Sequence, residues 1–156
     1  MQKWSLTCLI LFTGFFIVAC NKKEQSNPVD RGTTLTTHQW KIKTLYYRMK
    51  SDATNLNFTS VVYQPCELDD VYVFATDSTF SRGDGAISCT IMDFFGPWGS
   101  GTWSANGDVS QFAIKNIYYS ITFTVDELTN TSMILEQETR DTFGNDVVYT
   151  YDFVSG

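Results

Sequence analysis

Few residues in this chain have the types and spacing that chemistry requires. His38 is the single histidine, and no Gly-x-Ser-x-Gly turn surrounds Ser100, so a serine or cysteine nucleophile lacks its usual base. Glu136 and Glu138 lie two positions apart, hence on one face of a strand at about 7 Å, a spacing that a glycosidase carboxylate pair can use. They read more simply as the solvated face of a strand whose other face carries Met133 and Leu135. Asp69 and Asp70 are calcium-type ligands, but neighbours on a strand point oppositely, and Asp commonly caps the turn before a strand. Cys66 and Cys89 are a lone pair without a histidine cluster, short of the four ligands of a structural zinc. No catalytic residue, metal or cofactor is assigned, and the expectation is a protein that is not an enzyme.

Cys20 has a different setting. Lys3 gives a positive start, residues 6–18 are almost wholly apolar, and the run ends in Ile17-Val18-Ala19-Cys20. This resembles the lipobox of bacterial lipoproteins, which implies a diacylated Cys20 as the first residue of the mature chain. Residues 1–19 are therefore expected to be a signal peptide, since an apolar run of about 13 residues is too short to span ~30 Å of hydrocarbon. Residues 20–34, polar and interrupted by Pro28, are expected to be the lipidated cysteine and a flexible tether. The expected location is the bacterial envelope, outer membrane first, with periplasmic export on the way.

Export constrains the rest. Loss of Lys3 takes the formal charge from −6 to −7, a balance that argues against nucleic acid as a partner. No basic amphipathic stretch serves anionic lipid, so the acyl group is the expected membrane attachment. In an oxidising compartment Cys66 and Cys89 are expected to form a disulfide, which would stabilise the fold by about 3 kcal/mol on the chain-entropy model.

Residues 35–156 suit one domain with a single core. Apolar and polar residues alternate at strand period over 39–49, 70–76, 79–82, 101–105, 109–115, 117–125, 132–139 and 146–154, after a short turn at 33–38. On this pattern Trp40, Ile42, Thr44 and Tyr46 share a face. Asn106-Gly107 is a hairpin signal because both residues tolerate positive φ. Eight strands joined mostly by hairpins predict an antiparallel up-and-down β-barrel rather than a sandwich, which needs longer crossovers. Only the connections 50–69 and 83–100 are long.

Thr37-His38-Gln39-Trp40-Lys41, Cys66-Glu67-Leu68-Asp69-Asp70 with Tyr72 and Phe74, Cys89, and Gly101-Thr102-Trp103-Ser104 together resemble the bacterial lipocalin-like domain family over about residues 35–153. Trp40 matches the Trp of the lipocalin Gly-x-Trp opening, with His38 in place of its Gly. The resemblance implies a lipid-anchored, eight-stranded lipocalin-like barrel with a hydrophobic cavity. The residues themselves add an aromatic surplus: 20 aromatic side chains remain beyond residue 19. Tyrosine joins an apolar body to a hydroxyl, which suits a small-molecule site. Trp40, Tyr46, Tyr72, Phe74, Tyr119, Phe123, Tyr149 and Tyr151 are the expected inward face, where they either contact a small hydrophobic ligand or simply fill the barrel. The segment 50–69, pinned near its end by Cys66, is the expected lid, with Phe58, Val62 and Tyr63 turned inward. Phe94, Phe95 and Trp98 crowd one connection and are the expected interaction patch for an envelope protein or glycan, should the barrel be filled and the role structural.

Overall fold

The computed structural model describes residues 28–89 and 99–156. The expected signal peptide, Cys20 and the Phe94, Phe95, Trp98 patch lie outside the described residues. The strands are β1 (Gln39–Met49), β2 (Leu56–Asn57), β3 (Val71–Phe74), β4 (Thr79–Gly83), β5 (Gly101–Ala105), β6 (Gln111–Lys115), β7 (Ser120–Leu128), β8 (Ser132–Arg140) and β9 (Asp146–Ser155). Leaving aside the two-residue β2, eight strands follow one another in sequence order, each antiparallel to the next. The last returns to the first, from Trp40↔Ser155 to Met49↔Val147. The fold is thus a closed, eight-stranded, antiparallel up-and-down β-barrel. Closure removes the free edges that a sheet with one apolar face otherwise exposes.

Alternation decides which side chains enter. Phe112 and Ile114 of β6, Met133 and Leu135 of β8, and Tyr151 and Phe153 of β9 are buried at every second position. Strand β1 breaks the rule once. Its register against β9 shifts between Ile42 and Thr44, so Leu45 is buried rather than Thr44 or Tyr46. One extra residue in a strand reverses the facing of everything beyond it. Tyr46 therefore pairs with Thr150 on the outer wall, a correction to the expected inward set, and Tyr47 takes its place inside against Tyr149 at 5.5 Å. A second shift in β7, between Val125 and Glu127, likewise brings Leu128 into the core.

The connections at the end where β1 begins are short and held by side-chain caps. Asp77 Oδ1 accepts from the Thr79 N–H at 3.0 Å, and Asp108 Oδ1 accepts from the Ser110 N–H at 3.1 Å. Such Asx turns mimic a backbone turn with a carboxylate. The β5–β6 hairpin does form at Asn106-Gly107, but β6 starts at Gln111, and the positive φ, 51°, belongs to Val109. A β-branched residue is strained there. Burial of the Val109 side chain in the core offsets that strain.

The same end carries the largest departure from expectation. Instead of a tether up to 34 and a turn at 33–38, a helix, α1 (Pro28–Thr37), lies across the barrel mouth on this side. Its sequence, with Gly32 and four threonines, has little helix propensity, which is why it reads as a linker. Tertiary contact compensates: Leu35 is 1% exposed, and the Trp40 indole N–H donates to the Leu35 carbonyl at 3.1 Å. This helix closes one end of the barrel and leaves the other, where residues 50–70 cross, as the open end.

Candidate ligand-binding site

The closed half of the interior is filled by rings. Phe74 meets Phe112 at 5.5 Å edge-on, Phe112 stacks on Phe123 at 5.3 Å, Phe123 meets Tyr151 at 5.7 Å, and Tyr72 meets Phe153 at 5.5 Å. Offset and edge-to-face geometries of this kind are the favourable ones for aromatic pairs. Trp40, Tyr72, Phe74 and Phe123, all expected to face inward, do so and are wholly buried. Here they fill space.

Towards the open end the interior turns polar. Strand β3 pairs with β1 only at Gln39↔Val73 and Trp40↔Tyr72. Above that level β1 would present an unpaired edge, and the segment 50–69 covers it. It contains β2, which pairs with Tyr46 and Tyr47, then a helical turn α2 (Thr59–Val62) and a 3-10 turn at Pro65–Glu67. Thr59 substitutes for a missing strand: its Oγ1 accepts from the Leu45 N–H at 2.9 Å, while the Phe58 N–H donates to the Leu45 carbonyl at 2.8 Å. The expected lid is therefore as much wall as lid. It turns Phe58 and Tyr63 inward, as the sequence predicts, but leaves Val62 43% exposed, a correction that follows from the α2 turn.

Tyr63 is 5% exposed, and its hydroxyl has no hydrogen-bond partner among the described residues. Burial pushes its phenol far above the usual range, with Tyr72 and Tyr151 adding to the shift, so the group stays a neutral O–H donor. Tyr151 is held neutral by burial in the same way, and its hydroxyl donates to Gln137 Oε1 at 3.2 Å. Gln137 shares the inward face of β8 with Met133 and Leu135, a polar residue that sequence reasoning passed over between two glutamates. Tyr149, half-buried, lies beside Tyr47, which in turn packs on Phe58 at 5.5 Å. Tyr119 sits half-buried in the rim turn before β7, next to Tyr118. The structure thus gathers Tyr63, Tyr151, Tyr149 and Phe58 from the expected set around the open end, adds Tyr47 and Gln137, and removes Tyr46.

A buried charge cluster anchors the lid. Arg82 Nε donates to Asp70 Oδ2 at 2.6 Å and its Nη2 to Glu67 Oε1 at 3.0 Å, all three side chains being almost wholly enclosed. Glu67 Oε2 also accepts from the Gln64 N–H at 2.6 Å, closing the 3-10 turn. The guanidinium carbon lies 5.8 Å from the Tyr72 ring centre. Asp69 turns the other way and accepts from the Ile87 N–H at 2.9 Å. These aspartates are lid and loop anchors here, and among the described residues no group of three or more His, Cys, Asp or Glu is placed to hold a metal ion. Cys66 and Cys89 are bonded, with Cα atoms 5.5 Å apart, inside the 4.4–6.8 Å range a disulfide requires. Glu136 and Glu138 lie on the outer wall, ion-paired to Arg48 at 3.5 Å and Lys50 at 2.5 Å.

No family model matches the chain, and no curated protein matches it. Among solved structures it is similar to a bovine odorant-binding protein, crystallised in complex with a selenium-containing odorant. Identity is 13%, the TM-score is 0.40, and the alignment covers 79% of this chain and 71% of that one. The fold assignment rests on the strand order and the β1–β9 closure described above.

Proposed function

We propose that this is an exported bacterial lipoprotein of the lipocalin-like group, anchored in the envelope through acylated Cys20. Its barrel holds a small, mostly apolar molecule beneath segment 50–69. No catalytic step is assigned to it. The observation that supports binding is the Tyr63 hydroxyl. A buried polar group without a partner costs about 1–3 kcal/mol, and this one lies in an aromatic interior beside Tyr72 and Tyr151, whose own hydroxyl reaches Gln137. A ligand with an apolar body and a hydrogen-bond acceptor relieves that cost, and Tyr47, Phe58 and Tyr149 supply the apolar walls. Native mass spectrometry of gently extracted protein tests this directly. A retained small molecule is expected, and Tyr63→Phe should lose it, with affinity reduced about tenfold for one hydrogen bond of ~1.4 kcal/mol, while the fold is at least as stable. Unliganded wild type, and equal binding by the variant, would refute the reading.

The anchor is tested separately. Cys20→Ser is expected to abolish globomycin-sensitive processing and the acylated form; unchanged processing in the variant removes the anchor from the proposal. A second reading, a structural or interaction lipoprotein, is favoured by one observation: the closed half of the barrel is already filled by Trp40, Tyr72, Phe74, Phe112 and Phe123. It predicts empty protein in the same mass spectrum.

A further inference from the structure

Segment 50–69 has a property that the closed-end turns lack. Residues 53–66 contain no charged side chain, in a chain of net charge −6. The inner side of the segment gives Phe58 and Tyr63 to the core. Its outer side sets large apolar residues among uncharged polar ones: Leu56, Val61 and Val62 are 55%, 66% and 43% exposed beside Asn55, Asn57, Ser60 and Gln64. A covering segment with one wet face normally leaves few large apolar side chains in water. Ile87, 60% exposed on the loop tied to Asp69, adds to this apolar surface. At the closed end the turn tips are Asp77-Ser78, Asn106-Gly107-Asp108 and Asn130-Thr131, and the one large apolar residue among these turns, Val109, is tucked inside.

We propose that the outer face of segment 50–69 rests on a lipid bilayer, so that the barrel lies on its side with the lid against the boundary between headgroups and acyl chains. This rests on the reading of Cys20 as the anchor. The position of the chain's exit favours it. The fold begins at Pro28, on the closed end, and the eight residues from Cys20 reach at most about 29 Å. Strands of nine to eleven residues, tilted as barrel strands are, make a wall about 25 Å high before its loops are added. A barrel standing on its open end would hold the closed end at or beyond the reach of the tether. Lying on the lid side, it keeps Pro28 nearer the surface: α1 starts across the barrel from β1, where Arg31 donates to the Asp108 carbonyl of the β5–β6 turn at 3.4 Å, one barrel width of about 16 Å from the lid and within the tether's reach. Charge favours the same face, because an uncharged stretch of an acidic protein approaches an anionic leaflet with least repulsion. Burial of Leu56, Val61 and Val62 to the depth of the acyl boundary is the ordinary mode of interfacial attachment. The lid then has lipid on one side and Tyr63 on the other, and an apolar molecule passes from bilayer to barrel without crossing water.

The test uses mature, acylated protein in vesicles of phosphatidylethanolamine and phosphatidylglycerol. With Cys20 acylated and Cys66 bonded to Cys89, one introduced thiol takes an NBD fluorophore: Val61→Cys on the lid, Thr76→Cys at the closed end, or Tyr118→Cys on an open-end turn. Nitroxide-labelled lipid is expected to quench the probe at 61 several-fold more than at 76 or 118. Val61→Glu should reduce quenching of a Leu56→Cys probe to the closed-end level, with the thermal unfolding midpoint unchanged. Equal quenching at 61 and 76 overturns the proposal, as does strongest quenching at 118, which puts the open-end turns on the bilayer instead. Flotation of the 76-labelled protein reports the anchor alone. Its failure would overturn the anchor reading together with this one, whereas flotation without quenching at 61 overturns only the docking of the lid.

Discussion

At the scale of single residues, Arg82 carries the most consequence. Two carboxylates, Glu67 and Asp70, are taken out of water against it, and a buried ion pair of this kind adds little net stability compared with an apolar replacement of the whole group. Removing one partner is another matter, since it strands the opposite charge. Arg82→Met is therefore expected to destabilise the domain by about 3–5 kcal/mol, read as a lower midpoint in urea. A cost below about 1 kcal/mol would show that the carboxylates find water when the guanidinium is gone. Asp70 stands out in the sequence as a turn residue. Arg82 does not, because its partner Glu67 lies 15 positions away and no local pattern connects them.

At the scale of elements, the turn between β8 and β9 shows how a hairpin is held by one carboxylate. Asp141 accepts from the Phe143 and Asn145 N–H groups and from the Asn145 side chain, at 2.9, 2.8 and 2.9 Å, while Gly144 supplies the positive φ of 84°. The Asn145 side chain first, and these N–H groups with it, hold the Asp141 carboxyl below its ordinary range; Asp77 and Asp108 are held down in the same way by Thr79 and Ser110. A carboxyl whose folded value is depressed binds protons more readily in the unfolded chain. Its contribution is complete above the unfolded value, near 4, and is lost as pH falls through the folded one. Asp141→Asn keeps an acceptor without the titration, so its unfolding midpoint should fall less than that of wild type between pH 5 and pH 2, a difference that thermal melts across this range will show. An identical acid limb in both proteins would assign it to other groups. Helix α1 gives a second prediction at this scale. Leu35 belongs to a segment that reads as linker, yet it is buried in the core. Leu35→Ala is expected to cost about 2–5 kcal/mol, the range for truncating a buried leucine. A loss of a few tenths would mean that the helix is a loose cover.

The molecule as a whole divides into two ends with different physics. At the closed end, rings, α1 and Asx-capped turns leave the aromatic side chains packed on one another. At the open end a lid held by one disulfide, one ion cluster and the Thr59 bonds to Leu45 turns Tyr63 inward, towards Tyr151 and its partner Gln137. Binding, on the proposal made here, belongs to the second end because the first has no room for it.

Strand order and the broad placement of each strand are legible in the sequence because they are local. Period-two alternation and Asp or Asn at the turns act between neighbours, and β1 and β5 begin and end where the alternation predicts. The inward facing of Phe74, Phe123 and Tyr151 follows from the same period. The pairing of Cys66 with Cys89 follows from elimination, if the expected signal peptide and lipidation set the other two cysteines aside. What the tertiary structure alone decided is non-local. The bulge after Ile42 moved Tyr46 to the outer wall and Tyr47 inside, because the whole of β9 must pair along β1. Helix α1 forms from poor helix residues because Trp40 and the barrel end give Leu35 somewhere to go. The polar patch around Tyr63 exists because a connection of low regularity covers the gap where β3 leaves β1, and no rule of spacing announces such a gap. Alternation tells each residue which side to face; only closure of the barrel settles what stands opposite.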